Sequence, residues 1–271
     1  MVLQSRRVAS AETVRELVDS AFATRFHDLT ATLTSASMAV VLAEELRDDL
    51  PPDLFIAAWT EYGNALRLGG QYQEAERALN RAEALPASDL HTKVHFLEVK
   101  ASLHRNTGRH ESAALLLCTA IEHQVLLHDS DVEARLHNLL GIVYQDWGKG
   151  PQAMRSFRAA LSLLGPTSQA EIVVSTGHNL FETLIEAGRL EAASAALVIL
   201  EPYYRSLTSN RIAAKAEWMR ARLCRAMRQF PAAELAYERA FDLLSQEPRS
   251  PELTELAAEM ADLLGLSKPA A

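Results

Sequence analysis

Cysteine is nearly absent from this chain. There are two in 271 residues, Cys118 and Cys224, and both fall inside helical patterns. No disulfide framework is expected, and a reducing compartment such as the cytoplasm suits the composition. Both thiols read as small buried hydrophobes rather than nucleophiles, since neither has a base beside it in sequence. Aromatic residues make up only 6%, and the β-branched runs that mark strands are missing. Basic residues are outnumbered, 27 against 35 acidic, for a net charge of −8. A broad nucleic-acid surface needs the opposite balance to replace counterions on phosphates. Long apolar runs are missing too. Stretches such as residues 113–118 fall far short of the roughly 20 residues that span a bilayer. The opening segment MVLQSRRVASAETVRELVDS has no apolar core of signal-peptide length. No phosphate-cradling glycine loop, nucleophile elbow or paired metal signature occurs. His91 and His95 are one helical turn apart, but a zinc site takes three or four ligands. The expectation is a non-enzymatic, cytoplasmic protein with no cofactor, no metal, no membrane segment and no direct nucleic-acid contact.

What is present is Ala and Leu, the best helix formers among apolar residues, in a pattern that repeats. The segment 59–85 reads WTEYGNALRLGGQYQEAERALNRAEAL. A turn glycine recurs at Gly70, Gly108, Gly148 and Gly188, with Arg228 in the fifth place, at steps of 38, 40, 40 and 40. A small residue follows each turn at Ala75, Ala113, Ala153, Ala193 and Ala233. A large residue lies one turn on, at Leu79, Leu117, Phe157, Leu197 and Tyr237. A third column holds Ala82, Ala120, Ala160, Leu200 and Ala240. The three columns share one helical stripe, so each unit is a helix, a glycine turn and an antiparallel helix. Pro151 and Pro231 stand in the first turn of second helices, where proline is tolerated.

The combination of Trp59, Tyr62, Gly63, Gly70, Tyr72 and the Ala-x3-Leu-x2-Ala run resembles the tetratricopeptide repeat signature. The usual period of that family is about 34 residues, and the longer one here resembles arrays in bacterial peptide-pheromone receptors and some signalling adaptors. The resemblance implies an all-α, right-handed superhelical solenoid of antiparallel hairpins. We count about thirteen helices. Residues 1–10 form a flexible start and 11–48 an N-terminal hairpin capped by Ser10, with its turn near 27–31. Five repeats occupy 51–245, a capping helix begins at Ser250-Pro251 and covers 250–265, and 266–271 is a tail.

The resemblance also places a protein or peptide partner in a concave groove lined by first helices. The polar candidates there are Asn64 and Arg67, Arg105, Asn138, Asn179, and a fifth-repeat group of Lys215, Trp218, Arg222 and Arg225. Asparagine amides both donate and accept, so they can read an extended backbone; stiffening the hairpin contacts is the alternative use. The fifth-repeat group falls within about 80° on a helix. Cations beside an indole suit an acidic segment or a C-terminal carboxylate; a solvated face with Trp218 packed on the next helix is the alternative. The leading reading is a binding scaffold or adaptor of regulatory character. A peptide-responsive sensor and a structural subunit of an assembly stand beside it.

Overall fold

The structure is a computed structural model that describes residues 10–165, 168–207, 209–246 and 252–265. Those residues form thirteen α-helices and no strand. In chain order they are α1 (Ala11–Thr24), α2 (Leu29–Glu45), α3 (Pro52–Leu68), α4 (Tyr72–Glu83), α5 (Leu90–Asn106), α6 (His110–Val125) and α7 (Ser130–Asp146). Then follow α8 (Gly150–Leu163), α9 (Ala170–Glu186), α10 (Leu190–Ser206), α11 (Asn210–Ala226), α12 (Phe230–Ser245) and α13 (Glu252–Leu263). The chain forms two compact units, residues 1–143 and 144–271. In the first, α1 packs on α2, α2 on α3, α3 on both α4 and α5, and α5 on α6. In the second, α8 packs on α9, α9 on α10, α10 on α11, α11 on α12, and α12 on α13.

The turn glycines do what their column requires. Gly70, Gly108, Gly148 and Gly188 take φ between 67° and 75°, and Arg228 takes φ 59° in the fifth place. In all five turns the residue after this position donates its N–H to a carbonyl five residues back. The bonds run from Gln71 to Leu66, Arg109 to His104, Lys149 to Tyr144, Arg189 to Leu184 and Gln229 to Cys224, at 2.7–2.9 Å. This six-to-one bond closes the first helix and launches the second without a side-chain cap.

The three columns are buried throughout. Their one irregularity has a local cause. Where the other repeats place alanine, the fourth has Leu200, and the facing helix α9 answers with Gly177. A Cβ built on Gly177 would lie 2.3 Å from Leu200 Cδ2. Gly63 faces Leu79 in the first repeat with a similar clearance, 2.8 Å. Each large side chain is thus seated over a residue that has none, which is how close-packed interiors keep their density.

Differences from the sequence reading are few. The α1–α2 turn is shorter than expected, because Asp28 already caps α2 by accepting from the Ala31 N–H at 2.9 Å. Ser10 caps α1 through the Thr13 N–H as its position suggested. Cys118 is exposed on α6 rather than buried, because it lies one residue past the Leu117 column. Cys224 is half-buried against the α11–α12 core. The Ser250-Pro251 start and the 266–271 tail lie outside the described residues. No helix among the described residues is long and apolar enough to cross a membrane.

Candidate binding surface

The first helices α3, α5 and α7 of the first unit carry a polar network. Asn64 is buried at 4% exposure, and its Oδ1 accepts from Arg67 Nε and Nη2 at 3.2 and 2.7 Å. Arg67 Nη1 reaches across to Asn106 Oδ1 on α5 at 3.0 Å. Burial and the neighbouring Arg105 charge lower the Arg67 pKa. The Asn64–Arg67 pair therefore ties α3 to α5, the stiffening role. Arg105 and Asn138 are half-buried and also have partners within the chain.

A second network in this unit was not anticipated. His95 Nε2 lies 2.5 Å from Glu61 Oε1, and Arg135 Nη1 donates to Glu98 Oε1 at 2.5 Å. Burial opposes the imidazolium charge, but hydrogen bonds to Glu61 and Glu98 outweigh it and push His95 up to about 9. Burial likewise opposes the Glu98 charge; His95 and Arg135 overcome it and hold the carboxyl below the usual range. His95 is thus committed to an ion pair rather than to a metal, and no group of three or more metal-ligating side chains occurs among the described residues. The phenyl ring of Phe22 stands edge-on to His95 with centroids 5.5 Å apart.

In the second unit the fifth-repeat group is brought together as the helical spacing implied, and α13 lies against it. Trp218 is buried at 8% exposure in the core shared by α11, α12 and α13, and its Nε1 donates to Glu259 at 2.9 Å. Arg222 lies between two carboxylates, Glu182 of α9 and Glu259 of α13, each at 2.6 Å. Burial works against its charge, and those partners outweigh burial and raise its pKa. Arg225 pairs with Asp262, and Arg211 with Glu252. Lys215 differs, with no hydrogen bond or ion pair among the described residues. Asn179, half-buried on α9, has partners within the chain.

Lys215 lines a cavity of about 180 Å³ together with His178 and Glu182 of α9, Trp218 and Arg222 of α11, and Glu255 of α13. Two buried polar atoms on α9, His178 Nδ1 and Glu182 Oε1, have no hydrogen-bond partner among the described residues. Burial, with Lys215 and Arg222 nearby, drives His178 down to about 4, so the imidazole is neutral at pH 7. Burial raises the Glu182 pKa against the pull of Arg222. With Arg222, Glu252 and Glu255 also in its wall, the cavity presents two cations, three carboxylates and one neutral imidazole beside the Trp218 indole.

The anionic halves of these networks, Glu61, Glu98 and Glu259, escaped the sequence reading. A signal for them existed: Glu98 and Arg135, Arg222 and Glu259, and Arg225 and Asp262 are each 37 residues apart. That is one period less one helical turn, the offset that sets side chains of adjacent first helices opposite each other.

The fold these helices and turns define is a tetratricopeptide-type helical repeat. Comparison with known proteins agrees at the level of structure. The chain resembles RapI in its apo form, with TM-score 0.74 and 12% identity over 93% of this chain and 71% of that one. It resembles BtubC from P. vanneervenii, with TM-score 0.68 and 19% identity over 82% and 95%. It also resembles a Rap protein solved in complex with competence and sporulation factor, with TM-score 0.65 and 13% identity over 94% and 71%. No family model and no curated protein matches.

Proposed function

We propose that this chain is a non-catalytic scaffold that holds a protein or peptide segment against the faces of its first helices, in a regulatory role in the cytoplasm. The observation that carries this reading is the cavity beside Lys215. A cation with no partner among the described residues, in a wall whose His178 and Glu182 each carry a buried polar atom also without one, is an unfinished site. Free cations of this kind suit an acidic segment or a C-terminal carboxylate. The solved complex of the Rap protein supports the same use of the fold. The tied amides of the first unit, Asn64 and Arg67, hold the helix spacing, while Arg105 and Asn138 border the binding face. Direct nucleic-acid contact does not suit a chain of net charge −8.

Reversal of Arg222 and Arg225 is an impure probe, since both residues hold α13. Lys215→Glu is the cleaner one. Affinity capture with the wild-type chain and the Lys215→Glu chain, both checked for equal melting, tests the reading. Loss of one specific partner from the variant is expected. Equal recovery on both baits would move the contact to another surface and favour an assembly subunit. A peptide-responsive regulator is the second reading. It is favoured by the cavity walls coming from three helices, α9, α11 and α13, which a bound segment would tie together.

A further inference from the structure

We infer that a second cavity, between α10 and α11, is a binding site for a neutral aromatic ring system that carries one hydrogen-bond donor, as in an indole. The cavity measures about 370 Å³, within the usual size range of small-ligand pockets. At 100° per residue, its α11 residues Ala213, Ala216, Glu217 and Arg220 centre about 180° round the helix from Lys215, Trp218 and Arg222. The site therefore goes beyond the proposed function and does not depend on it.

The sequence leaves the space open. One 40-residue step before Ala213, Ala216 and Arg220 stand Val173, Thr176 and Leu180, all buried on α9. One step after them stand Leu253, Leu256 and Met260, which join the core of α11, α12 and α13. Two alanines and an arginine thus replace the side chains that fill the flanking junctions. The facing column registers the gap. Leu197, in the cavity wall, is 8% exposed, where Leu79, Leu117, Phe157 and Tyr237 are at most 1%. The missing bulk is that of two branched aliphatic side chains, which one flat ring system can replace.

Charge narrows the class. Glu201, Arg205, Glu217 and Arg220 all line the cavity, and they neutralise one another. Arg205 pairs with Glu201 at 2.7 Å, Arg220 pairs with Glu217, and Arg220 approaches Glu201 at 3.8 Å. A charged ligand would compete with these pairs, while a neutral one leaves them in place. One polar demand remains. Glu217 Oε1 accepts from Arg220, but Oε2 is buried without a partner among the described residues. A buried carboxylate oxygen calls for a donor. The last torsion of a glutamate is broad, so a small turn presents Oε2 to the cavity. Ala213 and Glu217 are one helical turn apart, with Cβ atoms about 5–6 Å from each other. One ring can therefore fill the space over the alanine and reach the carboxylate with its edge. The chain makes such contacts itself: Trp218 Nε1 and the Tyr237 hydroxyl each donate to Glu259 at 2.9 Å.

The test is an NMR titration of the full chain with indole, N-methylindole, skatole and N-acetyl-tryptophanamide. Indole is expected to shift the backbone amide signals of Leu197, Ala213 and Ala216. N-methylindole should bind about tenfold or more weakly, because it leaves Glu217 unpaired. Skatole has the same bulk and keeps its N–H, so it should bind like indole. Ala213→Leu with Ala216→Leu, the residues found one step later, should abolish the shifts without lowering the melting temperature. If that double variant does not fold, the comparison of N-methylindole with skatole decides. Binding of N-acetyl-tryptophanamide as well assigns the site to a side chain of a partner; binding of the free indoles alone assigns it to a small molecule. No shifts below about 10 mM indole overturn the inference. So do shifts confined to other residues, or binding indifferent to N-methylation or to the two leucines.

Discussion

Gly177 and Leu200 show how one residue sets the tolerance of another. The glycine gives way so that a leucine can enter a column otherwise held by alanine. Gly177→Ala should destabilise the chain. Overpacking against the buried Leu200 side chain costs about 1–3 kcal/mol, and the better helix propensity of alanine returns at most about 1 kcal/mol. Adding Leu200→Ala should restore the room, so Gly177→Ala should be cheaper in the Leu200→Ala background than in the wild type. A double-mutant cycle by denaturant unfolding checks this. Equal costs in both backgrounds would mean the two side chains do not compete.

His95 makes a different kind of prediction. Its pKa is raised to about 9 in the folded chain, against an ordinary value near 6.5. The folded state therefore holds the proton more tightly. The stabilisation is fully present below about 6.5 and is lost as pH rises through 9. Thermal melts of the wild type and His95→Gln should differ most near pH 6 and converge toward pH 10. A gap that widens with pH would reverse the sign and place a neutral histidine in the pair.

At the scale of elements, the second helices were legible and the inner polar faces were not. The alternation of small and large residues, the turn glycine and the proline at the first turn are local signals, and the structure keeps each of them. The α1–α2 turn was misplaced because Asp28 looks the same in sequence whether it sits in a turn or caps a helix. Helical spacing put Asn64 beside Arg67 on α3 and Lys215 near Arg222 on α11, but not Asn106 against Arg67 or Glu259 against Arg222. A pairing between adjacent first helices depends on which rung faces which, and that follows only from the packed offset.

The last helix shows what such rungs do. α13 fully buries one side chain, Leu256, among its twelve residues. Isolated helices this short are marginal in water. Its place depends on that leucine and on Glu259 and Asp262 meeting Arg222 and Arg225. Arg222→Glu should speed amide exchange in residues 252–263 by about tenfold or more, the equivalent of 1.4 kcal/mol, within the range for charged hydrogen bonds. Adding Glu259→Arg should recover part of the protection. Unchanged exchange in the single variant would show that Leu256 and its apolar neighbours suffice.

Over the whole molecule, contacts join neighbours in sequence, so stability should be a sum of local terms rather than one global quantity. Gly177→Ala should therefore raise exchange within residues 144–271 and leave residues 1–143 close to wild type by mass spectrometry. Uniform acceleration along the chain would show one cooperative block instead.

Several ion pairs that bridge helices of successive hairpins have sequence separations of 33 to 41 residues, as in Arg109–Glu76, Arg135–Glu98, Arg222–Glu259 and Arg211–Glu252. The α5–α6 hairpin thus contributes one half of a pair backward, Arg109 to Glu76, and one half forward, Glu98 to Arg135. A tandem duplication of this hairpin would leave the copied Arg109 without its carboxylate, because Ala114 stands one 38-residue step after Glu76. Lengthening by whole periods therefore carries the turns and the buried columns with each copy, while the ion pairs have to be acquired junction by junction.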